Sequence, residues 1–152
     1  MAKEKIIQGI TGEYYAAGKL SSLKLTVAMT LKNAPNYDLL VTDGKRAKMI
    51  QVKTTEGPKA IWTFSKVAEP NTNLVFVLVI LKPAKNCNSP AFYIVPSKAV
   101  NAQQIDRNKI YIKNQIKRGV KPDPTKKGVY KFIDLEGKYR DKWKHLGLQL
   151  KM

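Results

Sequence analysis

Pro35-Asn36-Tyr37-Asp38-Leu39-Leu40-Val41, followed beyond Asp43-Gly44 by Met49-Ile50-Gln51-Val52-Lys53-Thr54-Thr55, is the stretch on which the fold turns. Two apolar runs separated by an Asp-Gly turn read as a β-hairpin. Side chains alternate along a strand, so Gln51 and Lys53 share one face and Val52 takes the other. With the turn centred near Lys45, Asp38 lies across from Lys53. Asp38 stands at the start of an apolar strand, either as a turn residue following Pro35 or as an acid with a chemical task.

The chain around this hairpin is strongly basic. Of 152 residues, 28 are Lys or Arg and 11 are Asp or Glu, a formal charge of +17. With 43% hydrophobic and 26% charged residues this is the composition of one globular domain, and the charge calls for a polyanionic partner. Solubility or adhesion to anionic lipid is the competing account of the same charge. Nucleic acid is favoured over both, because the basic residues are spread along a folded chain and form no amphipathic anchor. The longest apolar run, residues 74–81, is too short to span a membrane, and the N-terminus leads into no signal-peptide segment. A single cysteine, Cys87, makes no internal disulfide and suits the cytoplasm. Lone Cys87 and lone His145 exclude a His/Cys zinc cluster, so any metal is held by oxygen and is Mg²⁺ or Mn²⁺. Gly9-Ile10-Thr11-Gly12 is neither a dinucleotide nor a phosphate-loop fingerprint, which argues against a nucleotide cofactor.

Residues 4–19 carry a helical pattern, with Ile6, Ile10 and Ala17 on one stripe and Ile7 and Tyr14 beside it, closed by Gly18. Glu13 falls on that stripe, where a carboxylate facing a core is costly unless a cation meets it. If Gly9 and Gly12 break the helix early, Glu13 is solvated instead. Residues 23–29 alternate as a half-buried strand, and residues 31–36 form a loop. The continuous run 74–81 predicts a strand covered on both faces, and residues 91–95 a second strand followed by a helix over 98–104. Residues 109–118 read as strand or helix, 121–128 as a loop, 129–135 as a strand or extended arm, and Trp143 and Leu146 as anchors of a terminal helical turn. Covering a central strand on both faces implies helices on two sides of a sheet, an α/β layered domain.

The hairpin's residue types suit phosphodiester hydrolysis. That reaction uses a divalent ion on hard oxygen ligands, to polarise the phosphoryl oxygen and activate a water. A nearby lysine orients or deprotonates the water and offsets charge on the phosphate. Asp38 is the candidate anchoring ligand, with the Gln51 amide oxygen and the Val52 main-chain carbonyl completing the protein's share, and Lys53 is the candidate catalytic lysine.

Gly12-Glu13-Tyr14-Tyr15, then Pro35-Asn36-Tyr37-Asp38, then Gln51-Val52-Lys53-Thr54 resemble the motifs of the PD-(D/E)xK nuclease superfamily over roughly the first 95 residues. The resemblance implies a restriction-endonuclease-like core: helix, strand, hairpin, helix, strand, with a central mixed sheet flanked by helices. It also implies active-site roles for Asp38 and Lys53, the second-acid position for Gln51, and a helix-borne acid at Glu13. Gln51 departs from the pattern by replacing an acid, which removes one negative charge from the metal site; Glu13 is the residue able to restore it.

The resulting expectation is a single domain of residues 1–152, with a nuclease-like core over about 4–105 and a basic C-terminal extension over about 106–152. Its expected activity is Mg²⁺-dependent cleavage of DNA, with Mn²⁺ as the other candidate ion and a homodimer as the way one small domain cuts both strands. A non-catalytic nucleic-acid-binding module with a site decayed at Gln51 is the first alternative, and a basic RNA- or ribosome-associated protein the second. Lys59, Lys66, Lys113, Lys117, Arg118, Lys121, Lys126 and Lys127 are candidate phosphate contacts. Tyr14, Tyr15, Trp62, Phe64 and Tyr111 either stack on bases or pack in the core, the commoner fate of aromatics.

Overall fold

Seven consecutive apolar residues leave no polar face, and the strand they form must be covered on both sides. The computed structural model, which describes residues 1–31, 36–122 and 130–151, buries all of them in strand β5 (Leu74–Ile80). Around it lies a five-stranded mixed sheet in the order β1-β2-β3-β5-β6, with β1 spanning Thr26–Met29, β2 Leu39–Thr42, β3 Ala47–Thr55 and β6 Ala91–Pro96. Only the β3–β5 pair is parallel; β1–β2, β2–β3 and β5–β6 run antiparallel. The expected mixed α/β sheet-and-helix core is therefore present.

Alternation along β5 feeds two cores. Val75, Val77 and Val79 face helix α1 (Ala2–Ser22) in a cluster with Ala16, Leu20, Leu39, Ile50 and Val52. Trp143 and Leu146 of a short 3-10 helix (Trp143–Leu146) complete that cluster, as the sequence predicts for these anchors. Leu74, Phe76, Leu78 and Ile80 face the opposite way, toward Trp62, Phe64, Val100 and Phe132. Here the covering layer differs from expectation. It is a two-stranded ribbon of β4 (Ile61–Phe64) and β7 (Tyr130–Ile133), assisted by helix α2 (Ser97–Lys117), and not a second helix packed along the sheet. A parallel pair needs a long crossover; between β3 and β5 that connection carries β4 where the sequence reading placed a helix.

Helix boundaries also move. The first helix runs past Gly18 to Ser22 without a break at Gly9 or Gly12, and the ambiguous segment 109–118 is the end of α2 and its cap. The division placed near residue 105 thus falls inside α2, and residues 130–150 are woven into both cores and are no appendage.

The buried stripe of α1 is Gly12, Ala16 and Leu20, while Ile6 is 59% exposed. Small residues decide this, because they let the helix approach β3 closely. A side chain at Gly12 would collide with Thr54, whose hydroxyl is buried and has no hydrogen-bond partner among the described residues. We expect Gly12→Ala to destabilise the protein by about 1–3 kcal/mol through overpacking. Thr54→Ala alone is expected to be neutral or stabilising, since it removes an unsatisfied buried hydroxyl. In the double variant Thr54→Ala recovers part of the Gly12→Ala loss, a non-additivity that chemical denaturation of all three variants measures.

Candidate active site

The hairpin turn sets the register of everything above it. Thr42 pairs with Ala47, leaving residues 43–46 as the loop. Asp43 fixes it: its Oδ1 accepts the N–H groups of Lys45 (2.9 Å) and Arg46 (2.7 Å), and its own N–H donates to the Arg46 carbonyl. Its Oδ2 accepts the N–H of Gln149 (2.8 Å), which ties the C-terminal segment to the turn. These main-chain donors hold the Asp43 carboxyl well below the usual carboxylate range.

Leu39 consequently pairs with Ile50, which brings Asp38 level with Gln51 and not, as expected, with Lys53. The difference arises because the turn centres between Gly44 and Lys45, one residue earlier than a pairing of Asp38 with Lys53 requires. Asp38 is pinned twice. Its N–H donates to the Ile50 carbonyl (2.8 Å), and its Oδ2 accepts the Val52 N–H (2.7 Å). In a strand the N–H and C=O of one residue point to the same edge. The Val52 carbonyl therefore emerges on the side of β3 that Asp38 occupies.

Gln51 and Lys53 lie together on the face opposite α1. Both line a cavity of about 510 Å³, and the Lys53 ammonium sits 5.6 Å from the centroid of the Phe64 ring. Asp38 is half-buried, and burial pushes its carboxyl above the usual carboxylate range; the Val52 N–H and the Lys53 charge pull it down without cancelling that push.

Glu13 starts from the other side of the sheet. It is half-buried on α1, one residue beyond the Gly12 contact with Thr54, so the first and third resemblance motifs meet there. Thr54 alternates with Lys53, and Val52 packs in the α1-side core. Asp38 thus meets the Val52 main chain and the Lys53 charge where β2 begins alongside β3, with Gln51 level with it at mid-strand and Glu13 held on the helix against the opposite face. The sequence stripe of Ile6, Ile10, Glu13 and Ala17 is corrected to Gly12, Ala16 and Leu20, with Glu13 on its margin. Among the described residues no three of His, Cys, Asp and Glu gather closely enough to hold a metal ion. An ion bound here would have one or two carboxylates plus amide and main-chain oxygens to draw on, a set that would fit Mg²⁺ only with several waters kept.

The candidate phosphate contacts are divided. Lys66 lines the same cavity as Lys53. Lys59 and Lys121 are exposed, and Lys113, Lys117 and Arg118 stand on the exposed distal end of α2. Lys126, Lys127 and Pro35 lie outside the described residues. Trp62 and Phe64 are core residues, 1% and 4% exposed, and the Trp62 Nε1–H donates to the Val79 carbonyl (3.1 Å). Tyr14, Tyr15 and Tyr111 are exposed. Sequence reading did not find the cavity. Phe76 and Leu74 of β5, Met49 of β3 and Tyr37 come together there from separate segments, each with an apolar pattern that any core would show. Among the described residues no helix is long and apolar enough to cross a membrane.

No protein-family model matches the chain, and no curated protein matches it. Among solved structures it is similar to a bacterial homing endonuclease, I-Ssp6803I, at 14% identity and a TM-score of 0.47, over 63% of this chain and 71% of that one. A likeness this distant assigns no residue a role.

The position of Asp38 gives a pH test. Well below its ordinary pKa of 3.8 the carboxyl is protonated in both folded and unfolded chains and its ionisation does not affect stability. As pH rises past that value, the unfolded chain ionises first, and the folded protein loses stability until its own raised pKa is passed. Asp38→Asn keeps an oxygen for the Val52 N–H without the charge. The variant should melt above the wild type at pH 7, with the difference vanishing below pH 3; calorimetry across that range reads it.

Proposed function

We propose that this protein is a metal-dependent DNA endonuclease that hydrolyses phosphodiester bonds where β2 begins alongside β3. What supports the reading is the meeting of Asp38, Gln51 and Lys53 there, on a chain of formal charge +17. A half-buried carboxylate with a raised pKa is an incomplete arrangement by itself, and a cation beside it completes the electrostatics.

In this proposal Asp38 would be the anchoring ligand, the Gln51 amide oxygen and the Val52 carbonyl would add neutral oxygens, and Glu13 on α1 would supply a second negative charge. Mg²⁺, or Mn²⁺ in its place, would supply Lewis-acid polarisation of a phosphoryl oxygen and activation of an attacking water. Lys53, steadied over the Phe64 ring, holds a positive charge where the phosphate acquires negative charge, and orients the attacking water. Lys66 and the exposed cations of α2 bind flanking phosphates and steer DNA to the site. Pairing of two copies provides cleavage of both strands. Because Gln51 is neutral, a binding module without catalysis is the reading that failure of the following test would leave.

Purified protein with Mg²⁺ or Mn²⁺ should nick plasmid or branched DNA. Asp38→Ala and Lys53→Ala should each lower the rate by at least about a hundredfold with the fold intact by circular dichroism. Salt-dependent DNA binding without nicking in either metal would sink the catalytic proposal. Lys66→Ala should reduce the slope of log affinity against log salt by about 1 if it meets a phosphate, which a titration between low and moderate salt measures.

A further inference from the structure

We infer that the cavity beside Gln51 and Lys53 is a pocket for a single unstacked nucleobase of the DNA strand lying across Lys53. The inference rests on the DNA-binding part of the function proposed above and adds a substrate class to it: DNA that already carries an unpaired nucleotide near the scissile phosphate.

The size is right for one nucleotide and wrong for a base pair. At about 510 Å³ the cavity falls within the roughly 300–1,000 Å³ range of small-ligand sites. A base with its sugar enters such a space, and a stacked duplex does not.

The lining has the chemistry a base requires. The buried Phe64, Phe76 and Leu74 form an apolar floor, and the half-buried Tyr37 and Met49 stand over it, Tyr37 as the ring left accessible to a base. Every base has a π-face, and stacking on aromatic side chains captures it with little regard to sequence. At the rim stand Lys53 and Lys66 for the adjoining phosphates, with Glu69 as the acid among them and the amide of Asn71 for a base edge. This apolar floor beneath a cationic rim matches a nucleotide's apolar face and anionic backbone.

The cavity is also built, since its wall is anchored from behind. The loop 65–73 is fastened to α2 by four hydrogen bonds. The Ala68 N–H donates to Gln104 Oε1 (2.7 Å) and Asn101 Nδ2 donates to the Ala68 carbonyl (2.8 Å). The Asn71 N–H donates to Ser97 Oγ (2.8 Å), which in turn donates to the Asn71 carbonyl (2.6 Å). On the sheet side the Met49 N–H donates to the Asn73 carbonyl (2.8 Å) and Lys48 Nζ to the Thr72 carbonyl (2.7 Å). A wall held this way preserves an opening that a loose loop would fill, so a base enters without first ordering the protein.

Extracting a base from an intact duplex costs unstacking and unpairing, and the cost is least where the nucleotide is already unpaired. A bulged or mispaired site therefore offers the pocket its occupant and sets the neighbouring phosphate beside Lys53 and Asp38.

The test uses the full chain without divalent metal and three labelled duplexes read by fluorescence anisotropy: continuous, with one bulged adenine, and with an abasic bulge at the same place. The adenine bulge should bind about tenfold more tightly than the abasic bulge. Tyr37→Ala, which removes a packing ring, and Ser65→Trp, which fills the mouth from an exposed position, should each erase that difference while leaving affinity for the continuous duplex unchanged. Equal affinity for the adenine and abasic bulges, or a loss in both variants that is the same for all three duplexes, overturns the pocket. Base discrimination without Mg²⁺-dependent nicking keeps the pocket and refutes only catalysis; nicking without discrimination does the reverse. Failure to bind any of the three duplexes refutes both.

Discussion

A four-residue strand runs beside a nine-residue one, and a single carboxylate manages the place where the shorter stops. Among the described residues the main chain of β3 has no antiparallel neighbour beyond the start of β2, and Asp38 takes the Val52 N–H that such a neighbour would have taken. The substitution is unequal. A backbone carbonyl is neutral, whereas Asp38 carries a charge into a half-buried position and resists ionising there. The mismatch in strand length thus creates both an opening at the sheet's edge and a polar group in need of a positive neighbour. Lys53, the residue after Val52 on β3, answers part of that need.

How far the sequence revealed this depends on whether the responsible interactions are local. The hairpin was legible because Asp43-Gly44 and the flanking alternation act over a few residues, and the same alternation correctly put Gln51 and Lys53 on one face. The registry slip at Asp38 was not legible, because it follows from Asp43 accepting the Lys45 and Arg46 N–H groups inside the turn and the distant Gln149 N–H outside it. β5 announced its burial through composition alone, yet nothing in its residues told whether a helix or the β4–β7 ribbon would lie on it. The face of α1 was misread for a different reason. Counting large apolar residues favours Ile6 and Ile10, while the packing follows Gly12 and Ala16, whose value is their smallness against Thr54.

Charge connects these features. Among the described acids Asp43 and Asp134 are occupied with main-chain donors, and Glu56 is tied to Lys82 at the surface. Asp38 differs because its partners leave its carboxyl raised, and it stands next to lysines that face a cavity. A neutral Gln51 fits a strongly basic protein in one respect: beside Lys53 it opposes an approaching anion less than a carboxylate would.

The helix that fastens the cavity wall is also the one whose far end stands in solvent. Ser97, Asn101 and Gln104 grip loop 65–73 from the first two turns of α2, and the helix continues to Lys117 and its Arg118 cap. At 21 residues it is about 30 Å of rigid rod. Such a rod is a lever with its fulcrum at the cavity. If the tip, where Lys113, Lys117 and Arg118 stand, holds a phosphate as proposed, a load there would be felt at the wall beside Lys53, and the grip on a distant phosphate would be coupled to the aperture of the cavity.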